Sequence, residues 1–281
     1  MAVTITQHIR RMRGGAQSHL MRAADGNFYV VKFQTNPQHV RVLANEWIAG
    51  RIAERIGLPA AAAEIVEVGD WLVRKTPELH VLIAGIKKPC TPGLQFGSRF
   101  VVDPMDGQVL DYMPESLLDS AHVRNLGVFA GALAFDKWLC NADGRQVVYW
   151  RRNRERKYSV ALVDQGYCFN AGDWSFPDAP LRGAFAMNAA YAAVRDWNDF
   201  EPWLARIEGF TSAELAAYAE AVPPEWYAGD WDALAALIKT IGERRTRVRR
   251  LVDEFRLSSR NPFPNWNNEQ LEPLEKRIMI M

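Results

Sequence analysis

The run Phe135-Asp136-Lys137-Trp138-Leu139-Cys140-Asn141-Ala142-Asp143-Gly144-Arg145-Gln146 is followed, two strand-like stretches later, by Leu162-Val163-Asp164-Gln165-Gly166. The first segment sets Asp143 on a polar turn behind an apolar helical run. The second sets Asp164 where an apolar strand gives out just before a glycine. Two carboxylates so placed suit a metal–phosphate site: one can orient a hydroxyl and accept its proton, the other can bind Mg2+ through hard oxygen ligands. Asp and Gly also make ordinary turns, so this pattern alone leaves a structural reading open for both.

Working outward toward the N-terminus, residues 4–9 are β-branched and strand-like, and residues 10–17 are basic and glycine-bearing. Residues 18–22 and 27–33 read as two strands around the turn Ala24-Asp25-Gly26. Across 37–56, Val40, Leu43, Trp47, Ile48, Ile52 and Ile56 recur at helical spacing, and Gly57-Leu58-Pro59 supplies the stop. Residues 63–68 and 71–75 read as a further hairpin across Gly69-Asp70. The expectation is a small antiparallel sheet with one helix. Residues 87–111, rich in Pro and Gly with one strand at 98–102, read as a linker, and the boundary is expected near residue 90.

Beyond it, helical patterns cover 114–121, 123–140, 185–195, 199–207, 211–221 and 231–257. A strand pair at 147–151 and 158–163 flanks the polar turn 152–157. The predicted organisation is α+β: a β-rich lobe over 1–90, a larger mainly helical lobe over 91–264, and a tail over 265–281. At 281 residues there is chain enough for two such lobes with a cleft between them.

Composition narrows the class. With 48% hydrophobic and 24% charged residues the chain reads as an ordinary globular protein. A net charge of +1 sets up no global field toward nucleic acid or an anionic membrane. No apolar run approaches the roughly 18 residues that span a bilayer, and residues 1–15 lack the apolar core of a signal peptide, so a cytoplasmic location is expected. Cys90, Cys140 and Cys168 are widely spaced and read as reduced thiols.

Lys32 lies in the apolar strand Tyr29-Val30-Val31-Lys32-Phe33, where an ammonium must point to solvent or meet an anion. Gly14 and Gly15, with Gln17 and Ser18 after them, could bring backbone N–H groups around phosphates, although a glycine pair also makes a plain turn. Glu46, on the helix that follows the hairpin, could be aimed at Lys32 or lie in solvent. The order glycine loop, strand lysine, helix glutamate says more than any one of the three.

Taken together, Gly14-Gly15-Ala16-Gln17-Ser18-His19-Leu20, Val31-Lys32-Phe33, Asn45-Glu46, Gly57-Leu58-Pro59, Phe96-Gly97-Ser98, Phe135-Asp136-Lys137-Trp138, the Asn141–Gln146 turn and Val163-Asp164-Gln165-Gly166 resemble the HipA-like kinase family over roughly residues 9–255. The resemblance implies a protein-kinase-like fold, related to phosphoinositide kinases, with an ATP cleft between its lobes. It implies that Lys32 binds phosphate, Glu46 supports it, Asp143 is the catalytic carboxylate and Asp164 holds Mg2+. It further implies transfer of the ATP γ-phosphate to a serine or threonine of a protein substrate. One position departs from the pattern. Where related kinases place a metal-binding asparagine, five residues after the catalytic aspartate, this chain has Val148, which cannot coordinate Mg2+. Gln146 and Asn141 are the amides that could supply an oxygen instead, and a non-catalytic nucleotide-binding or scaffolding protein is the rival reading. A small-molecule kinase would use the same ATP machinery.

Asp136 and Asn141 also stand five apart. Asp136 shares a helical face with Phe129, Leu133 and Cys140, so Asp143 is preferred as the base. Arg244, Arg245, Arg247, Arg249 and Arg250 interleave with Val248, Leu251, Glu243, Asp253 and Glu254. That mixture fits a packed helix with a solvated face better than a nucleic-acid surface. Trp197, Trp203, Trp226 and Trp231 are expected in the helical core.

Overall fold

A computed structural model describes residues 2–267. Strand β1 (Val3–Arg11) pairs antiparallel with β2 (His19–Ala23), which turns back as β3 (Phe28–Lys32). The turn is built as its residues dictate. Gly26 takes φ +83°, while Asp25 accepts the Asn27 backbone N–H at 2.9 Å and the Tyr29 hydroxyl at 2.8 Å.

Helix α1 (Arg41–Arg55) begins four residues later than the pattern suggests, because Asn36 accepts the Gln38 N–H at 2.8 Å and turns the chain first. Gly57, at φ +75°, ends it. Strand β4 (Ala63–Val68) follows as expected. Residues 71–75 do not continue a hairpin: they lie in a short helix, α2 (Asp70–Lys75). Asp70 in its first turn and Arg74 and Lys75 in its last suit the helix dipole. Leu72 and Val73 pack into the barrel while Trp71 stays exposed.

The segment expected as a linker is instead mostly sheet. It begins within the second strand of a hairpin, β5 (His80–Ile83) and β6 (Ile86–Pro89), and holds β7 (Gly93–Arg99) and β8 (Gly107–Leu110). Strand β7 inserts between β3 and β4 and closes a barrel of order β1-β2-β3-β7-β4, so a boundary near residue 90 would cut through it. The expected strand at 98–102 meets β7 only at its last two residues.

Helix α3 (Val128–Trp138) is buried along its whole length. β9 (Gln146–Arg152) and β10 (Ser159–Val163) form the expected antiparallel pair, with β8 as a third strand beside β9. Helices read at 114–121 and 185–195 are reduced to single 3-10 turns, Glu115–Leu117 and Asn188–Tyr191. Around 119–122 the Asp119 carboxylate takes the Ala121 and His122 N–H groups. Around 185–186 Arg260 draws off the Phe185 and Ala186 carbonyls that a helix would use.

Pro202 divides the 199–207 segment into a 3-10 turn and α4 (Trp203–Glu208). α5 (Ser212–Glu220) opens with a Thr211–Glu214 capping box. Residues 231–257 form α6 (Trp231–Arg244) and α7 (Val248–Arg256), joined by one 3-10 turn. Trp266, expected in a tail, stacks on Phe263 at 5.6 Å, and residues 268–281 of that expected tail lie outside the described residues.

One apolar cluster fills the barrel around Met21, Val31, Val66 and Val81. A second runs from α1 through Phe96 of β7 into α3, α6 and α7. Helix α1 is therefore buried between the sheet and the helical part of the molecule. Among the described residues no helix is long and apolar enough to cross a membrane.

Candidate active site

Tyr29 and Val31 of β3 point into the barrel, so alternation turns Lys32 to the opposite face, toward α1. There its ammonium meets Glu46 of α1 in a short ion pair, and Asp164 Oδ1 at 2.8 Å. The Lys32 and Glu46 side chains are almost wholly buried, whereas 27% of the Asp164 side chain is exposed. Burial opposes the Lys32 charge, but the two carboxylates outweigh it and hold its pKa above the ordinary lysine value. Burial works against the Asp164 carboxylate too, and Lys32 overcomes it, leaving Asp164 ionised below the usual carboxylate range. Burial raises the pKa of Glu46 against the pull of Lys32, so of the two carboxylates the more exposed Asp164 holds its charge more firmly.

Asp164 leaves β10 with φ +57°, a left-handed conformation that Asp tolerates better than most residues. Glu46 fixes the chain just beyond it by accepting the N–H groups of Gln165 and Gly166, both at 2.9 Å. Gly166 is required by space. A Cβ there would stand 2.5 Å from Val42 Cγ1.

The neighbouring loop, which carries Asp143, is tied to this one. Ala142 N–H donates to Tyr167 O at 2.8 Å, and Phe169 N–H to Leu139 O at 2.7 Å. Arg145 reaches across, donating to Gln165 Oε1 at 2.7 Å and Val163 O at 3.2 Å. Its other donors grip both carboxylate oxygens of Asp136, which is 1% exposed. Asp143 itself is exposed, its oxygens held by Gly144 N–H at 2.8 Å and the Gln146 carboxamide at 3.1 Å. Asn141 is buried and spans the loop, donating to Asp136 at 2.9 Å and accepting the Asp143 N–H at 3.1 Å. Val148 pairs with Ala161 in the middle of β9.

Along the same strands, away from Asp164, lies a cavity of about 440 Å³. It is lined by Phe28, Ala61, Phe100, Val102, Trp150 and Ala161 among others. Phe28 and Lys32 share one face of β3 about 13 Å apart, and Ala161 lies three residues before Asp164 on β10.

Residues 5–256 match the family described as HipA-like kinase. The chain belongs to that family. Solved structures, kinases among them, share its fold. The Helicobacter pylori proinflammatory kinase CtkA superposes with a TM-score of 0.55 at 12% identity, covering 92% of this chain and 100% of that one. Hydra Fam20, solved with sugar, gives 0.55 at 12% identity over 92% and 88%. The Golgi casein kinase gives 0.53 at 12% identity over 92% and 74%. No curated protein matches this chain. The HipA-like chain thus has a mixed α/β kinase-like fold, as the family resemblance implied.

Of the residues singled out in this HipA-like sequence, Lys32, Glu46 and Asp164 meet directly, and Asn141 and Asp143 lie on the adjoining loop with Gln146 at the start of β9 just beyond it. In the glycine segment, Gly14 takes φ +119° with open space around it. A Cβ on Gly15 would lie 3.1 Å from the Gln38 amide, which itself bonds the Tyr167 hydroxyl at 3.0 Å, so the segment lies against the Asp164 loop. Gln17 is spent elsewhere: its carboxamide bonds both the N–H and the carbonyl of Leu82, at 2.7 and 2.8 Å. Ser18 is buried beside it.

Arg145, Gln165 and the cavity wall went unassigned in the sequence, since their roles depend on contacts between distant segments. The arginines of the last helices are largely committed. Arg244 pairs with Asp178, Arg249 with Glu201 and Glu208, and Arg250 with Glu254. Trp226 is fully buried as expected, but Trp231 is 46% exposed at the start of α6. The three cysteines are buried and free.

Proposed function

We propose that this HipA-like kinase binds ATP between the barrel and the helical part of the chain, acting as two lobes divided near residue 100. It passes the γ-phosphate to a serine or threonine hydroxyl of a protein. The observation that carries this reading is the buried Lys32–Glu46–Asp164 contact, which pairs a held ammonium with a partly exposed carboxylate. The 440 Å³ cavity would take the base, and Lys32 the phosphate oxygens.

The donor set fits a hard divalent ion such as Mg2+. Asp164 is ionised and partly exposed, and the adjoining segment offers the exposed oxygens of Asp143 and Gln146. Among the described residues no cluster of three or more His, Cys, Asp or Glu side chains is arranged to hold a metal ion. Mg2+ commonly uses one or two carboxylates and takes its remaining ligands from water and phosphate. When bound it would neutralise charge building on the phosphate oxygens. Asp143 would orient the acceptor hydroxyl and take its proton as the acceptor oxygen bonds to phosphorus and the bridging P–O bond to ADP breaks. Gln146, exposed where Asn141 is buried, would be the amide to assist at the metal. The free thiols suit a reducing, cytoplasmic setting.

Val148 favours one second reading, nucleotide binding without turnover. The deciding experiment measures thermal stabilisation by ATP with Mg2+ or Mn2+, and labelled γ-phosphate transfer, in wild type, Asp143→Ala and Asp164→Ala. Transfer by wild type alone supports the kinase. Stabilisation without transfer leaves the second reading, and neither removes both.

A further inference from the structure

Glu46 accounts for only half of what α1 does to the loop carrying Asp164. One turn of the helix, Arg41, Val42, Asn45 and Glu46, presents a single face to residues 164–174. Arg41 donates to Gly172 O at 3.1 Å and its guanidinium lies 4.2 Å from the Trp174 ring. Val42 packs where Gly166 has no side chain. The centre of the contact is Asn45, 0% exposed. Its Nδ2 lies 2.8 Å from Gly166 O, 3.1 Å from Cys168 O and 2.8 Å from Ala171 O, and its Oδ1 accepts the Trp174 indole N–H at 2.7 Å.

The amide orientation is fixed by chemistry: carbonyls only accept and an indole N–H only donates. Two amide hydrogens serve three carbonyls, so at least one is shared. The backbone needs this hold. Asp164, Phe169, Asn170, Ala171 and Trp174 all have positive φ, a conformation that costs free energy and persists only when the surroundings enforce it. Glu46 takes the N–H groups of the segment and Asn45 takes its carbonyls, so the two adjacent residues grip opposite polar groups of one strained loop.

We propose that Asn45 is a positioning residue that sets Asp164 for its metal through the 166–171 carbonyls, so that α1 fixes the metal carboxylate as well as Lys32. This rests on the proposed nucleotide and metal binding at Asp164. Removing such a support typically lowers metal affinity about 10–100-fold without touching the metal.

Two variants test it. Asn45→Asp keeps the oxygen for Trp174 but replaces the donor with a carboxylate facing three carbonyls. Trp174→Phe removes the indole donor that orients the amide while keeping an aromatic ring for Arg41, at a half-buried position, and serves where Asn45→Asp fails to fold. The first readout is hydrogen exchange, which needs no nucleotide. Amides of residues 165–171 should exchange at least about tenfold faster in either variant, while those of α3 and β2 keep their wild-type rates. The second is a titration of Mg2+ or Mn2+ into the protein with ADP, alongside ADP binding without metal. The half-saturating metal concentration should rise about tenfold or more while metal-free ADP affinity changes less than about threefold.

Unchanged exchange, faster exchange spread over the whole chain, or equal losses in both binding measurements would each overturn the role of Asn45. If wild type binds neither ADP nor metal, the nucleotide reading fails and the metal-positioning role fails with it, while local exchange still shows whether Asn45 holds the loop.

Discussion

Gly166→Ala is the sharpest probe of how tightly α1 and the Asp164 loop are packed. A Cβ there would lie 2.5 Å from Val42 Cγ1, 3.2 Å from Glu46 Oε1 and 3.5 Å from Asp164 Oδ1. Val42 is 0% exposed within α1 and has no empty side to move into, so the loop must shift instead. Overpacking of this kind costs about 1–3 kcal/mol. Gly166 has no positive φ, so alanine adds no backbone strain and returns about 0.4–1 kcal/mol by restricting the unfolded chain. The net expectation is a loss of about 1–2 kcal/mol, read from urea unfolding. Val42→Ala alone should cost about 2 kcal/mol for two buried methyl groups. It also removes the clashing atom, so adding Gly166→Ala to it should cost nothing or restore a few tenths of a kcal/mol. The coupling is then at least about 1 kcal/mol, well beyond additivity error. If Gly166→Ala is neutral in wild type, or costs the same in both backgrounds, the close approach of α1 to this loop is wrong.

Asp136→Asn should destabilise the fold by about 3–5 kcal/mol, because it leaves the 4%-exposed Arg145 without its counter-charge; a loss under about 1 kcal/mol in denaturant unfolding would contradict that pairing. His19 is buried against His8 at 3.1 Å, Cys90 at 3.9 Å and the charges of Arg11 and His80; burial first, then His8, hold its pKa down at about 4. Its neutral form is favoured by folding, so stability is full above about pH 6.5 and falls as the unfolded chain takes the proton, by about 2 kcal/mol between pH 7 and 5. His19→Phe should flatten most of that slope, and an unchanged pH profile would remove His19 as its source. Ala161→Leu would project a larger side chain into the 440 Å³ cavity and should abolish thermal stabilisation by ATP while leaving far-UV circular dichroism unchanged; undiminished stabilisation would put the base elsewhere.

The pieces of the site that could be read from sequence are those written in local pattern. Lys32 interrupts an apolar strand, Glu46 interrupts an apolar helix, and Asp164 ends a strand before glycine. Strand β7 was not legible because its residues answer to neighbours in space. Gly97 is small because a Cβ would stand 2.5 Å from Val66 Cγ1. Gln95 is buried because its amide bonds Gln34 N–H at 2.7 Å and Thr91 O at 2.9 Å. Neither has the alternating apolar side chains by which a strand is recognised. The role of Asn45 was hidden the same way: the sequence sets it beside Glu46 but cannot show that the carbonyls of residues 166–171, over a hundred positions away, face it.

Asp136 and Asp143 show where spacing ends and burial begins. Asp136, with Asn141 five residues on, has the spacing expected of a kinase base and its asparagine; Asp143, with Val148, does not. A base must reach a substrate hydroxyl directly or through one water. Asp136 cannot, since both its oxygens are taken by Arg145 and one also by Asn141, beneath a surface that leaves 1% of the residue exposed. Its contribution runs through Arg145, whose remaining donors hold Gln165 and Val163 on either side of Asp164. The buried acid thus helps fix the distance between the two loops, and Asp143 is the acid that lies open to solvent. The spacing that matches the kinase pattern belongs to the scaffold, while the residue proposed for the chemistry is the one whose spacing departs from it.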